Sequence, residues 1–228
     1  MRATHLAAKP REPATPRRRH PERTRELILE AATIEFATKG IGGARVDAIA
    51  ARSRANKRMI YHYFGNKQQL YLSVLERMYQ EIRSAEAKLK LEELEPREAM
   101  RALIEFSFDY YTDHPHFIRL LDNENLHKGR NLARSPRIRQ SNSPLVKMIT
   151  ELLARGAATG VFRRRVDPIQ LYISIAALGY FYFANVYTLS GIFGVDLQAK
   201  EARETRRRHV VDVILSYLTS KAQLKTVG

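Results

Sequence analysis

The tightest constraint on this chain is a twenty-residue stretch, Arg45 to Phe64, reading RVDAIAARSRANKRMIYHYF. Two short helical periods lie there with a three-residue break between them. Val46, Ile49 and Ala50 recur at i, i+3 and i+4, which predicts one apolar helix face over about Val46 to Arg52. Ser53-Arg54-Ala55 is the turn. Asn56 is placed to cap a second helix, Lys57 to Tyr63, because its side-chain oxygen can accept a free backbone N–H of the first turn. In that second helix Ile60 and Phe64 face inward, and Lys57, Arg58, Tyr61 and His62 face outward.

A two-turn helix that presents two cations and two hydrogen-bonding rings fits the DNA major groove, which admits a helix and offers acceptors to such groups. A solvated polar face has the same pattern, so the flanks matter. The chain carries a net charge of +15, and residues 1–67 hold 15 Lys/Arg against six Asp/Glu. Charge gathered in one segment implies a polyanionic partner, either nucleic acid or an anionic membrane surface. Cysteine is absent, which removes disulfides and thiolate metal sites and fits an intracellular setting.

Residues 1–20, with Pro10, Pro13, Pro16 and Arg17-Arg18-Arg19, have too few large apolar side chains to fold alone. They read as a disordered basic arm without the apolar core of a secretory signal. Pro21 to Lys39 reads as the first helix, with Leu27, Ile28, Ala31, Ala32, Ile34, Glu35 and Phe36 as its stripe and Gly40 at C′. After Gly65, Asn66 is a cap for the next helix, with Gln69 three residues on, and Lys67 sits at that helix's N-terminus. A cation there opposes the helix dipole unless an anion such as a phosphate lies close by.

The combination Phe36-x-x-x-Gly40, Val46-x-x-Ile49-Ala50 and Lys57-x-x-Ile60-Tyr61-x-Tyr63-Phe64-x-Asn66-Lys67-x-x-Leu70 resembles the N-terminal domain of TetR-type bacterial transcriptional regulators over residues 22–82. The resemblance implies an all-α homodimer that places its third helix in the major groove of an operator, with a larger C-terminal domain for a small-molecule effector. Carried over by position, it implies DNA contacts from Lys57, Arg58, Met59, Tyr61, His62, Tyr63 and Lys67, with Tyr63 and Lys67 on phosphates; Arg45, a cation able to reach phosphate, and the capping Asn56 join them as candidate DNA contacts. Arg58 is the candidate for sequence readout, through guanine or else through phosphate alone; Met59 either touches a thymine methyl or packs. Two departures stand out. Arg54 occupies a turn position usually held by Gly, and Arg45 replaces the usual Ser or Thr cap of the second helix.

Beyond the head, the pattern predicts a linking helix from Lys67 to about Leu94, another from Pro96 to Thr112, and a helical segment His114 to His127. Lys128 to Ser143 reads as a basic surface loop, and Ser143-Pro144 as the start of a helix reaching Thr159. Pro168 to Val195 has no charged residue over 28 positions and reads as one buried helix doubling as a dimer interface; it is also long enough to span a bilayer. A last helix runs from about Ala199 to Lys221. The effector is expected among Phe106, Tyr110, His116, Phe117, Leu120, Asn123, Glu124, His127, Tyr182 and Asn185. Neither a cofactor nor a metal site is expected.

The expected organisation is a basic arm (1–20), a three-helix helix-turn-helix domain (21–82) and a helical effector-binding and dimerisation domain (83–228). The expected function is a cytoplasmic repressor that leaves its operator when the effector binds. Two other classes compete. One is a helical enzyme using His116, Glu124 or His127 as acid or base, and the other is a protein anchored through residues 168–195.

Overall fold

The computed structural model describes residues 21–219; the basic arm and the expected end of the last helix lie outside the described residues. Every regular element among the described residues is helical. In order they are α1 (Pro21–Gly43), α2 (Val46–Ser53), α3 (Lys57–Phe64), α4 (Lys67–Ala87), α5 (Pro96–Asp113), α6 (Pro115–Leu126), α7 (Pro136–Ala158), α8 (Pro168–Ala184), α9 (Val186–Phe193) and α10 (Lys200–Thr219). This is the expected all-α class, a helix-turn-helix head on a larger helical body.

The head closes over side chains spaced at helical periods. Ile28, Ala32 and Phe36 of α1, Ile49 of α2, Ile60 of α3 and Leu70 of α4 are each 1% exposed or less. Phe36 meets Tyr71 edge-on at 5.0 Å, tying α1 to α4. The same cluster takes in Phe117, Ile118 and Leu120 of α6, so α6 packs directly on the head. A second cluster joins α5, α7, α8 and α10.

Three boundaries differ from the sequence reading. First, α4 stops at Ala87, short of Leu94, because the chain reverses through Lys90 at φ 48° into a 3-10 turn at Leu91–Glu93. Arg155 of α7 donates to the carbonyls of Leu91, Glu92 and Leu94 at 2.7–3.1 Å and so fastens the reversal to α7.

Second, α7 begins at Pro136, inside the stretch read as a loop. Ser135-Pro136 and Ser143-Pro144 carry the same local start signal. The first wins because Ser135 both caps Ile138 N–H and donates to Glu76 of α4 at 2.7 Å. Pro144 sits within the helix, where it removes one backbone donor and its ring crowds the carbonyl one turn back.

Third, the charge-free run is two helices bent by 69° at Asn185. Asn185 Nδ2 donates back to Phe181 O at 2.9 Å, and the Asn185 carbonyl opens α9 by accepting from Leu189 N–H. Among the described residues no single helix is long and apolar enough to cross a membrane. At Gly179 an added Cβ would lie 3.0 Å from the Tyr111 ring, so the glycine lets α8 approach α5.

Candidate nucleic-acid interface

The head's outer surface is held by backbone chemistry that starts in α1. Gly40 adopts φ 63°, ψ 172°, a conformation reserved for glycine, and kinks the end of α1. That kink brings Glu35, only 4% exposed, under the start of α2. Its carboxylate accepts Arg45 N–H at 3.1 Å and pairs with Lys39 at 3.0 Å. Burial pushes the Glu35 carboxyl up, but the Arg45 N–H, the Lys39 ammonium and the Arg52 guanidinium together hold it below its ordinary value. Arg45 is the N-cap of α2 and makes no side-chain cap, as its chemistry dictates, and its guanidinium is exposed.

The turn is closed by Ala55 N–H on Ala50 O at 3.2 Å and Arg54 N–H on Ala51 O at 3.4 Å. Arg54 stands at φ 52°, ψ 28°, left-handed, at the position where the family resemblance expects glycine. Asn56 Oδ1 accepts Met59 N–H at 2.8 Å, which fixes the first turn of α3. Ile60 and Phe64 are buried, while Lys57, Arg58, Tyr61 and His62 are exposed on the opposite face. Met59 and Tyr63 are half-buried, and the Tyr63 ring lies edge-on to His62 at 5.5 Å.

Among the described residues Arg58 has no ion pair or side-chain hydrogen bond. Lys57 instead reaches Asp47 of α2 at 2.6 Å, and this hydrogen bond raises its pKa. Both partners are more than half exposed, so the pair is weak and Lys57 can exchange to a phosphate. Asn66 caps α4 through Gln69 N–H at 2.9 Å. Lys67 reaches back to the Gly42 carbonyl at 3.4 Å, beside the kink. Residues 45, 56–58, 61 and 62 are exposed and Lys67 is half-buried beside them, giving a largely cationic surface across α2, α3 and the start of α4. Sequence reasoning missed Glu35 and Asp47 as organisers of this surface. The signal for Glu35 was a carboxylate four residues after Ala31 within an apolar stripe.

The ten residues expected around an effector are not gathered into one site. Phe106 and Tyr110 line a groove of about 700 Å³ with Glu81, Glu105, Asp109 and Asp113. Tyr182 borders a different apolar groove of about 1000 Å³ with Phe181 and Phe193. Leu120 is fully buried, Phe117 packs against Tyr110 and Tyr111, and Asn185 forms the break after α8. His116 is half-buried, its pKa lowered by burial and by Arg119. Asn123 abuts Gly40, and His127 is exposed with Nδ1 at 2.7 Å from Asn123 O. Glu124 is 1% exposed, and its carboxylate is occupied by Asn131 N–H, Asn131 Nδ2 and Leu132 N–H at 2.7–3.0 Å. A separate cavity of about 390 Å³ lies between α5, α6 and α8–α10. Its walls include Tyr111, Ile118 and Phe183, and its polar lining includes Arg119, Asp122 and Arg203.

Two short helices at an angle, the second capped and presenting a solvent-facing row of cations and hydrogen-bonding rings, define a helix-turn-helix DNA-binding protein. Comparison with known proteins narrows the class. Residues 28–74 match the family described as "Bacterial regulatory proteins, tetR family", and residues 96–214 match the "Tetracyclin repressor-like, C-terminal domain". The chain is 39% identical over 194 residues to the HTH-type transcriptional repressor NicS of Pseudomonas putida, covering 85% of this chain and 92% of that protein. It is 41% identical over 111 residues to the HTH-type transcriptional repressor SCO4008 of Streptomyces coelicolor, covering 49% of this chain and 54% of that one. The crystal structure of the transcriptional regulator SCO4942 from Streptomyces coelicolor shares its fold, with a TM-score of 0.64 at 24% identity over 86% of this chain and 98% of that one. The chain belongs to the TetR family of bacterial transcriptional regulators.

Proposed function

We propose that the protein is a cytoplasmic, homodimeric repressor whose two α3 helices enter successive major grooves of an operator and leave it when a small molecule binds the body. The observation that carries the reading is the outward face of α3. Arg58, Tyr61 and His62 project from a helix locked by the Asn56 cap and by buried Ile60 and Phe64. On this reading Arg58 meets base edges, Arg45, Lys57, Tyr63 and Lys67 hold phosphates, and Asn56, Met59, Tyr61 and His62 complete the contact surface.

The dimer is supported by apolar stripes left open on the single chain. Ile169, Ile173 and Phe181 of α8 lie on one helical line, as do Val213 and Tyr217 of α10, and each is at least 39% exposed. Paired with their copies they form a four-helix bundle. The switch is supported by α6. One part of it (Ile118, Arg119 and Asp122) lines the 390 Å³ cavity, and Asn123 one residue on touches Gly40 of the head. A ligand that prefers one position of α6 therefore biases the placement of α1 and of both reading heads.

Selection of bound duplexes from a random pool tests the reading. It expects an enriched inverted repeat with half-sites about one helical turn apart, or a multiple of that. Small molecules that raise the melting temperature are then titrated against the complex. A ligand that stabilises the protein without altering DNA affinity contradicts the switch.

A further inference from the structure

The charge of the chain is concentrated twice. Besides residues 1–67, residues 125–150 hold six Lys/Arg and no Asp/Glu, so the net charge of everything else is zero. This second segment lies outside the helix-turn-helix. It runs from the end of α6 into the first half of α7.

The segment is a fastened structure. Its first turn uses Lys128 at φ 58° and Gly129 at φ 66°, with Gly129 N–H on the Glu124 carbonyl at 2.9 Å. The Glu124 carboxylate then takes Asn131 N–H and Leu132 N–H at 2.7 and 3.0 Å. At its far end Glu76 of α4 accepts from Ser135 at 2.7 Å and from Arg137 at 3.4 Å. Glu124 is thereby spent on shaping the backbone, and Glu76 on holding Ser135 and Arg137. Lys128, Arg130, Arg134 and Arg139 are exposed and, among the described residues, have no ion pair. The dipole at the C-terminus of α6 favours a cation at Lys128 but does not reach the other three.

The segment starts close to the kink of α1, next to the surface assigned above to DNA, and runs back along α4. Lys67 Nζ touches Gly42 O, Gly40 abuts Asn123, Asn123 O meets His127, and Lys128 follows. Glu76, which anchors Ser135 and Arg137, lies nine residues along α4 from Lys67, about 14 Å at helical rise.

We propose that this segment is a second DNA-contacting surface, in which Lys128, Arg130, Arg134 and Arg139 bind backbone phosphates flanking the half-site read by α3. The proposal rests on the operator-binding reading above. It extends the footprint of each subunit without adding base contacts, so it raises affinity and salt dependence but leaves sequence preference unchanged.

The test uses the full-length protein, the shortest duplex that selection retains, and the same duplex lengthened by ten base pairs at each end. The variants are K128Q/R130Q/R134Q/R139Q and the charge-keeping K128R/R130K/R134K/R139K. Wild type is expected to gain more than tenfold in affinity on lengthening, with a salt slope steeper by about seven units for the dimer, roughly 0.9 for each of the eight phosphates neutralised. The Gln variant should match wild type on the short duplex and lose the gain, and the charge-keeping variant should retain it. A Gln variant that gains as much as wild type from lengthening overturns the proposal, whatever its affinity for the short duplex. Absence of binding to either duplex by wild type overturns both this proposal and the operator-binding reading, whereas normal short-duplex binding with an undiminished gain overturns this proposal alone.

Discussion

Replacing Arg54 tests the strain stored in the turn. Arg54 is exposed, holds φ 52°, ψ 28° and makes no ion pair among the described residues. A left-handed L-residue costs about 1–2 kcal/mol, and glycine avoids that cost. Glycine is also freer in the unfolded chain, which gives back about 0.5–1 kcal/mol. Arg54→Gly should therefore gain only about 0.5 kcal/mol over wild type. The cleaner comparison is with Arg54→Ala, which removes the same side chain but keeps the Cβ and hence the strain. Arg54→Gly should exceed Arg54→Ala by the same margin of about 0.5 kcal/mol, the strain relieved less the entropy that glycine gives back, or about 1–2 °C in melting temperature for a chain of this size. Urea unfolding followed by circular dichroism, at one fixed protein concentration, measures the difference. Both variants lose the same cation, so they should bind DNA alike. Equal stability of the two, or a more stable Ala variant, would refute the assignment of strain to this turn.

Asn56→Ala removes the cap that holds Met59 N–H and should cost about 1 kcal/mol in thermal unfolding while weakening DNA binding, since the frayed turn carries Lys57 and Arg58. Lys67→Ala should weaken binding to every duplex alike and reduce the salt slope by about one unit for each phosphate it no longer neutralises, measured by titration at several salt concentrations. Gly40→Ala should destabilise the junction between α1 and α6, because the new Cβ would lie 2.6 Å from Asn123 Oδ1 at a φ that only glycine tolerates well; adding Asn123→Ala relieves the clash but not the φ, so rescue in a melt should be partial. Glu35 has a lowered pKa when folded, so its contribution to stability is present above its ordinary value of 4.5 and is lost as pH falls below that and through the folded value; Glu35→Gln should flatten the acid side of a stability–pH profile.

The head was legible because its information is local. Val46, Ile49, Ile60 and Phe64 mark both faces by spacing alone, and Asn56 and Asn66 are caps whose oxygens bond the expected N–H groups. Arg54 stood out only through the resemblance, which expects glycine there; its left-handed φ of 52° comes from the structure. What failed depended on partners far away in the chain. The end of α4 is set by Arg155, more than 60 residues on, and the start of α7 by Glu76 reaching Ser135. The break at Asn185 was hidden because a charge-free run carries no helical stripe from which a bend can be read. The body's candidate residues scattered because helical spacing places side chains on a face but not that face against a cavity. Asn123 and Glu124 share one turn of α6, yet one meets the head and the other is consumed in the following turn.

On the proposed function, α3 reads base edges through its exposed row. Duplex selection run in parallel with wild type and Arg58→Ala tests it most directly. Wild type should enrich a two-fold motif, and the variant should enrich the same motif with preference lost at one base pair in each half-site. Identical motifs from both proteins, or a loss spread evenly over all positions, would contradict it.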